Sequence, residues 1–138
     1  MRIERVGRWL GDHTPLAYGL PAREVDEELV NSWAEDLESS FEKNGVEGID
    51  FTATDLYLTE VNRSVGPEEA AYNMGLAGAA AYRDLEETPR KEKWRDRISR
   101  GVRYGEIESR ATDARNVSEL TWFGFQDYDK LVEQGYEL

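Results

Sequence analysis

Cysteine is absent from the 138 residues, and histidine occurs once. The first absence excludes a disulfide framework, a thiolate zinc site and a cysteine nucleophile, and it fits a reducing compartment. The second leaves a serine or threonine nucleophile of the triad type with a single base, His13 in Gly11-Asp12-His13-Thr14-Pro15. Adjacent side chains such as Asp12 and His13 seldom align as a base and its orienting carboxylate, so a turn role is expected for His13. Paired histidines at helical spacing and the Walker lysine motif are also missing, which removes the commonest zinc and nucleotide signatures.

Long apolar runs are lacking too. Charge interrupts each one well before the roughly 18 residues that a membrane span needs. The opening Met-Arg-Ile-Glu-Arg carries no apolar signal region, so a cytoplasmic protein without membrane contact is expected, virion association being compatible with this. Lysine is scarce, with 4 against 13 arginines, while 29 acidic residues outnumber 17 basic ones and give a net charge of -12. Salt adaptation or an arginine-rich codon bias accounts for such a balance, and so does a carboxylate surface that repels nucleic acid or imitates its phosphates.

What is present is enough apolar material, 39% of residues, for one core in a single domain over residues 1–138. Its periodicity predicts a mainly α fold of about four to six helices, with optional short strands near 49–53 and 121–125. Residues 2–10 place Ile3, Val6, Trp9 and Leu10 on a short helix or an edge strand. A helix is predicted from just after Pro21 to Lys43-Asn44-Gly45, with Val25, Leu29, Trp33, Leu37 and Phe41 on its core face. Its opposite face collects Glu27, Glu28, Glu35, Glu38 and Glu42, a candidate acidic binding stripe. A shorter helix is expected over about 55–65.

Ser64-Val65-Gly66-Pro67-Glu68-Glu69 starts another helix, running to about Leu85. Ala71, Gly75, Gly78 and Tyr82 form a small-residue stripe on it. Two interior glycines cost about 1 kcal/mol each relative to alanine, which calls for close helix approach or an oligomer seam. Gly75-Leu76-Ala77-Gly78 falls inside the helical period and lacks a Lys-Ser/Thr pair, so it is not a phosphate loop.

The most distinctive segment is residues 90–103, with seven basic side chains against two acidic. As a helix from Thr88-Pro89 to a stop near Gly101–Gly105, it puts Trp94, Ile98 and Val102 toward the core. Arg90, Lys93, Arg97, Arg100 and Tyr104 then form a cationic stripe whose expected complement is the acidic stripe of the first long helix. Further on, Ile107, Ala111 and Ala114 suggest a helical segment, and a short helix is expected from about Tyr128 to Gln134.

No catalytic residue, metal site or cofactor is predicted. Asp127-Tyr128-Asp129 resembles the start of a calcium loop, but Val132 stands where its glycine belongs. Glu24, Glu27 and Glu28 suit the positive end of a helix as well as an ion. Asp50, Asp55 and Glu60 would make an acid–base pair only with a fold-shifted pKa. The leading expectation is a non-catalytic helical interaction or assembly subunit, viral or from a salt-adapted organism, whose partner is another protein or a second copy. An acidic inhibitor or nucleic-acid mimic is the alternative. A third reading has helix 90–103 contact nucleic acid, with Trp94 or Tyr104 stacking on bases.

Overall fold

The computed structural model describes residues 25–61 and 66–138, which hold five α-helices and one short 3-10 turn. Helix α1 spans Glu27–Asn44 and α2 spans Ile49–Val61, with the turn Val46–Gly48 between them. Helices α3, α4 and α5 span Pro67–Asp84, Lys91–Ser109 and Ala114–Glu133. His13, Glu24 and the Ile3 to Leu10 pattern lie outside the described residues.

Local chemistry sets most of the boundaries. Asp26 caps α1 by accepting from the Leu29 amide at 3.1 Å, so the helix starts at Glu27 and Val25 precedes it without helical structure. Gly45 takes the left-handed φ of 71° that ends α1, and its N–H donates to the Phe41 carbonyl at 2.8 Å. Pro67 opens α3 at its first turn. Asp113 caps α5, accepting from the Arg115 amide at 2.7 Å.

Neither optional strand exists among the described residues. Residues 49–53 begin α2 and residues 121–125 lie in the middle of α5. The alternation of Ile49, Phe51 and Ala53 was misleading because Ile49 and Ala53 are one helical turn apart and both buried, whereas Phe51 faces outward. The separate segments expected around Ile107 and Tyr128 are instead the end of α4 and of α5. Gly101 and Gly105 do not stop α4, which continues to Ser109 and closes with Arg110 at a φ of 56°.

Contacts along the helices fix their directions. Asp26 meets Asn73 and Ser40 meets Thr52, so α1 runs with α3 and against α2. Arg97 lies near Asp50 and Tyr57 bonds Glu106, so α2 runs with α4. Glu68 meets Asn116 and Arg83 stacks on Tyr128, so α3 runs with α5. The odd-numbered helices therefore point one way and the even-numbered ones the other.

Helix α3 is the centre, buried along nearly all of Ala70–Ala81. Its small side chains let α5 approach to backbone contact, because a β-carbon on Gly75 would meet the Thr121 carbonyl oxygen and the Gly124 Cα. Gly101 and Gly105 do the same for α2 against α4, where a β-carbon would meet Asp50 O at 2.5 Å or Tyr57 Cδ2 at 2.7 Å. Trp94 locks α4 into the core: its indole N–H donates to the Gly78 carbonyl at 2.9 Å, and Phe41 meets its ring edge-on at 5.6 Å. On the outside, Arg95 lies over the Trp122 ring at 3.7 Å and ties α4 to α5.

Candidate interaction surface

Helix α4 carries the basic residues on its solvent side because Trp94, Ile98 and Val102, at four-residue spacing, bind its other side to the core. The helix divides these cations into two groups. Near its start, Lys93 reaches Glu47 at 3.5 Å, and Arg97 donates to Glu47 at 2.6 Å with Asp50 3.7 Å away. These pairs engage Lys93 and Arg97 within the chain, and Arg97 is only 20% exposed. Toward the other end, Arg100 and Arg103 form no ion pair among the described residues. Arg90, the N-cap residue, is exposed and likewise forms no ion pair among the described residues.

Two large apolar side chains accompany the unpaired arginines. Tyr104 is 50% exposed and Ile107 is 59% exposed. Positions 100, 103, 104 and 107 fall within roughly a 100° arc at the α-helical period. An α-helical edge with this i, i+3, i+4, i+7 pattern is the form in which helices fill a groove on a partner. Neither Arg103 nor Ile107 is among the expected site residues: Arg103 lies beyond the arc of Arg90, Lys93, Arg97 and Arg100, and Ile107 lies past the expected helix stop. The same spacing, carried past the glycines from Arg100 and Arg103, reaches Ile107.

The acidic stripe of α1 does not pair with α4: among the described residues no ion pair joins the two. Glu27 turns to the C-terminal tail, accepting from the Glu137 amide at 2.6 Å. Glu28, Glu35 and Glu42 are exposed. Glu38 sits near the end of α3, where burial, then the negative charges of Asp84, Glu42 and Glu35, raise its pKa against the opposing pull of Arg83. A carboxyl whose pKa is raised by folding holds its proton more tightly in the folded chain, so its contribution favours folding at low pH and is lost as pH rises through the raised value. Glu38→Gln is therefore expected to raise Tm at neutral pH and to leave it unchanged below the ordinary glutamate range, as read by thermal melts across pH.

The small-residue stripe is consumed inside the molecule. Ala71, Gly75 and Gly78 are buried, and the Tyr82 hydroxyl donates to the Pro89 carbonyl at 2.8 Å. No oligomer seam is left there. Trp94 is fully buried and cannot stack on a base, leaving only Tyr104 for that role.

Two of the carboxylates that sequence alone could assign to catalysis or calcium have structural partners. Asp127 accepts from the Tyr72 hydroxyl at 2.7 Å, and Asp50 from the Phe51 amide at 3.1 Å. Among the described residues no three histidine or acidic side chains converge to hold a metal ion. Nor is any described helix long and apolar enough to cross a membrane. Comparison of the chain with protein-family models, curated proteins and solved structures gives no match.

Proposed function

We propose that this chain is a non-catalytic interaction or assembly subunit that engages another protein through the outer edge of α4. The supporting observation is the pairing of exposed Tyr104 and Ile107 with the unpaired Arg100 and Arg103. Tyrosine and arginine are enriched where protein surfaces bind, and an arginine that forms no ion pair among the described residues gives up none there on docking. The partner surface that fits this cationic edge presents acids of its own; the net charge of -12 opposes such a partner at long range, and at physiological salt the contact fields outweigh that screened repulsion.

Light scattering across a salt series, together with affinity capture from the source organism, tests this. A mass above the monomer, or a captured protein, is expected, and Arg103→Glu with Ile107→Asp should abolish it. A monomer at every salt concentration with nothing captured would sink the proposal.

One observation favours a second reading, an acidic inhibitor of a nucleic-acid-binding protein. Burial first, and then the negative charges of Asp84, Glu42 and Glu35, raise the Glu38 pKa, so these four carboxyl groups lie close enough to feel one another, as neighbouring phosphates do. Capture of a nuclease or polymerase that survives the α4 substitutions and is lost on neutralising these acids would select it. A shift of labelled DNA or RNA that disappears with Arg103→Glu would select direct nucleic-acid contact instead.

A further inference from the structure

A groove of about 400 Å³ opens at the end of the molecule where α1 and α3 finish, lined by Phe41, Glu42, Gly45, Leu85, Glu86 and Glu87. Phe41 and Leu85 make its apolar floor, and the three glutamates, all exposed, make its rim. Gly45 and Leu85 are the C-caps of α1 and α3, so the negative ends of two helix dipoles add to the rim charge. The groove is thus built for a segment that is both cationic and apolar.

The chain itself presents such a segment. The edge of α4 formed by Arg100, Arg103, Tyr104 and Ile107 has the charge that the rim lacks and the apolar surface that the floor accepts. It cannot reach the groove of its own molecule. Trp94, beside Phe41 at the groove end, is separated from Ile107 along a continuous helix by roughly 20 Å at about 1.5 Å per residue. The two surfaces face opposite ends of the bundle.

Resting on the assembly reading above, we infer that the α4 edge of one copy docks into the acid-rimmed groove of a second copy. The groove and the edge lie toward opposite ends of the bundle, so two copies cannot pair reciprocally through both; the contact is head-to-tail, and the growing assembly always keeps one groove and one edge open. Such an interface gives a closed ring or an open filament rather than a two-fold dimer. The net charge of -12 opposes this at long range. At about 10 mM salt the screening length is roughly 30 Å and whole molecules repel, whereas at about 0.15 M it falls to roughly 8 Å and the contact pairs dominate. Assembly should therefore be greatest at intermediate salt.

Charge reversal on each side, followed by mixing, decides the matter. One variant carries Arg100→Glu and Arg103→Glu, and the other carries Glu42→Lys, Glu86→Lys and Glu87→Lys, with circular dichroism confirming that both fold. Each alone should run as a monomer by light scattering at about 0.15 M salt, and the equimolar mixture should assemble again with the two variants alternating, because the reversed edge fits the reversed groove and the native edge the native groove. Wild-type assembly that survives both sets of substitutions overturns this docking while leaving the subunit reading intact. Reversals that break assembly without recovery on mixing also overturn it. A wild-type chain that stays monomeric at every salt overturns it too, and the broader reading then depends on whether a different protein is captured.

Discussion

Gly75→Ala is expected to destabilise the protein by about 3 kcal/mol or more, although alanine is the better helix former by about 1 kcal/mol. The added methyl would be driven into the Thr121 carbonyl oxygen and to 2.9 Å from the Gly124 Cα, both backbone atoms of α5. Neither can rotate away as a side-chain end could, so α3 and α5 must separate along the contact that the core depends on. Against a total of about 5–15 kcal/mol for a domain, such a loss lowers the urea midpoint severely or prevents folding. Gly78→Ala supplies the control on the same helix. Its methyl would meet Phe125 Cζ at 2.5 Å and Ile98 Cδ1 at 2.8 Å, both ends of side chains that can shift. Equilibrium unfolding should therefore rank Gly75→Ala well below Gly78→Ala, and equal stabilities would refute the close crossing of α3 and α5.

This crossing was half legible in the sequence. Interior glycines in a helical period signal that another backbone comes close, and Gly75 and Gly78 carried that signal. The identity of the approaching helix was hidden, because Gly124 sits among Trp122, Phe123 and Phe125, whose aromatic density imitates a strand. Gly101 and Gly105 were misread for the opposite reason. Glycine near the end of a charged stretch resembles a helix stop, and only the presence of α2 against them shows that they serve packing.

Charge was equally divided. The basic run on α4 was visible, but which of its members stay free depends on Glu47 and Asp50, about fifty residues earlier in the chain. No local pattern links Arg97 to either. The acids of α1 form a face by helical spacing, yet what they meet is decided by the end of α3 and by the C-terminal tail. Long-range pairing of this kind is set by how helices pack, and one-helix periodicity carries no information about it.

Glu106→Ala should be the most damaging change at a charged position, costing about 2–5 kcal/mol in equilibrium unfolding, because it orphans the Tyr57 hydroxyl and the Thr112 amide at about 1–3 kcal/mol each. Glu106 is 1% exposed near the end of α4. Its carboxylate accepts from the Tyr57 hydroxyl at 2.6 Å and from the Thr112 amide at 2.5 Å, with Ser109 Oγ at 3.4 Å. One side chain thereby joins α2, the end of α4 and the turn into α5. Removing it leaves the Tyr57 hydroxyl buried without its acceptor. Burial first, and then the bond to Glu106, holds the Tyr57 proton in place far above the ordinary tyrosine range, so this hydroxyl remains a donor that needs a partner. Glu106→Gln keeps the size and one acceptor but turns an amide N–H₂ toward one of the donors, and about 1.5–3 kcal/mol is expected. Tyr57→Phe removes one hydrogen bond and should cost about 1–2 kcal/mol. If the two residues act through one another, adding Tyr57→Phe to Glu106→Ala will cost less than it does alone, because the orphaned hydroxyl is gone. Strictly additive losses would mean that Glu106 serves the Thr112 turn alone, and that α2 is held to α4 by the Gly101 and Gly105 packing without help from this pair.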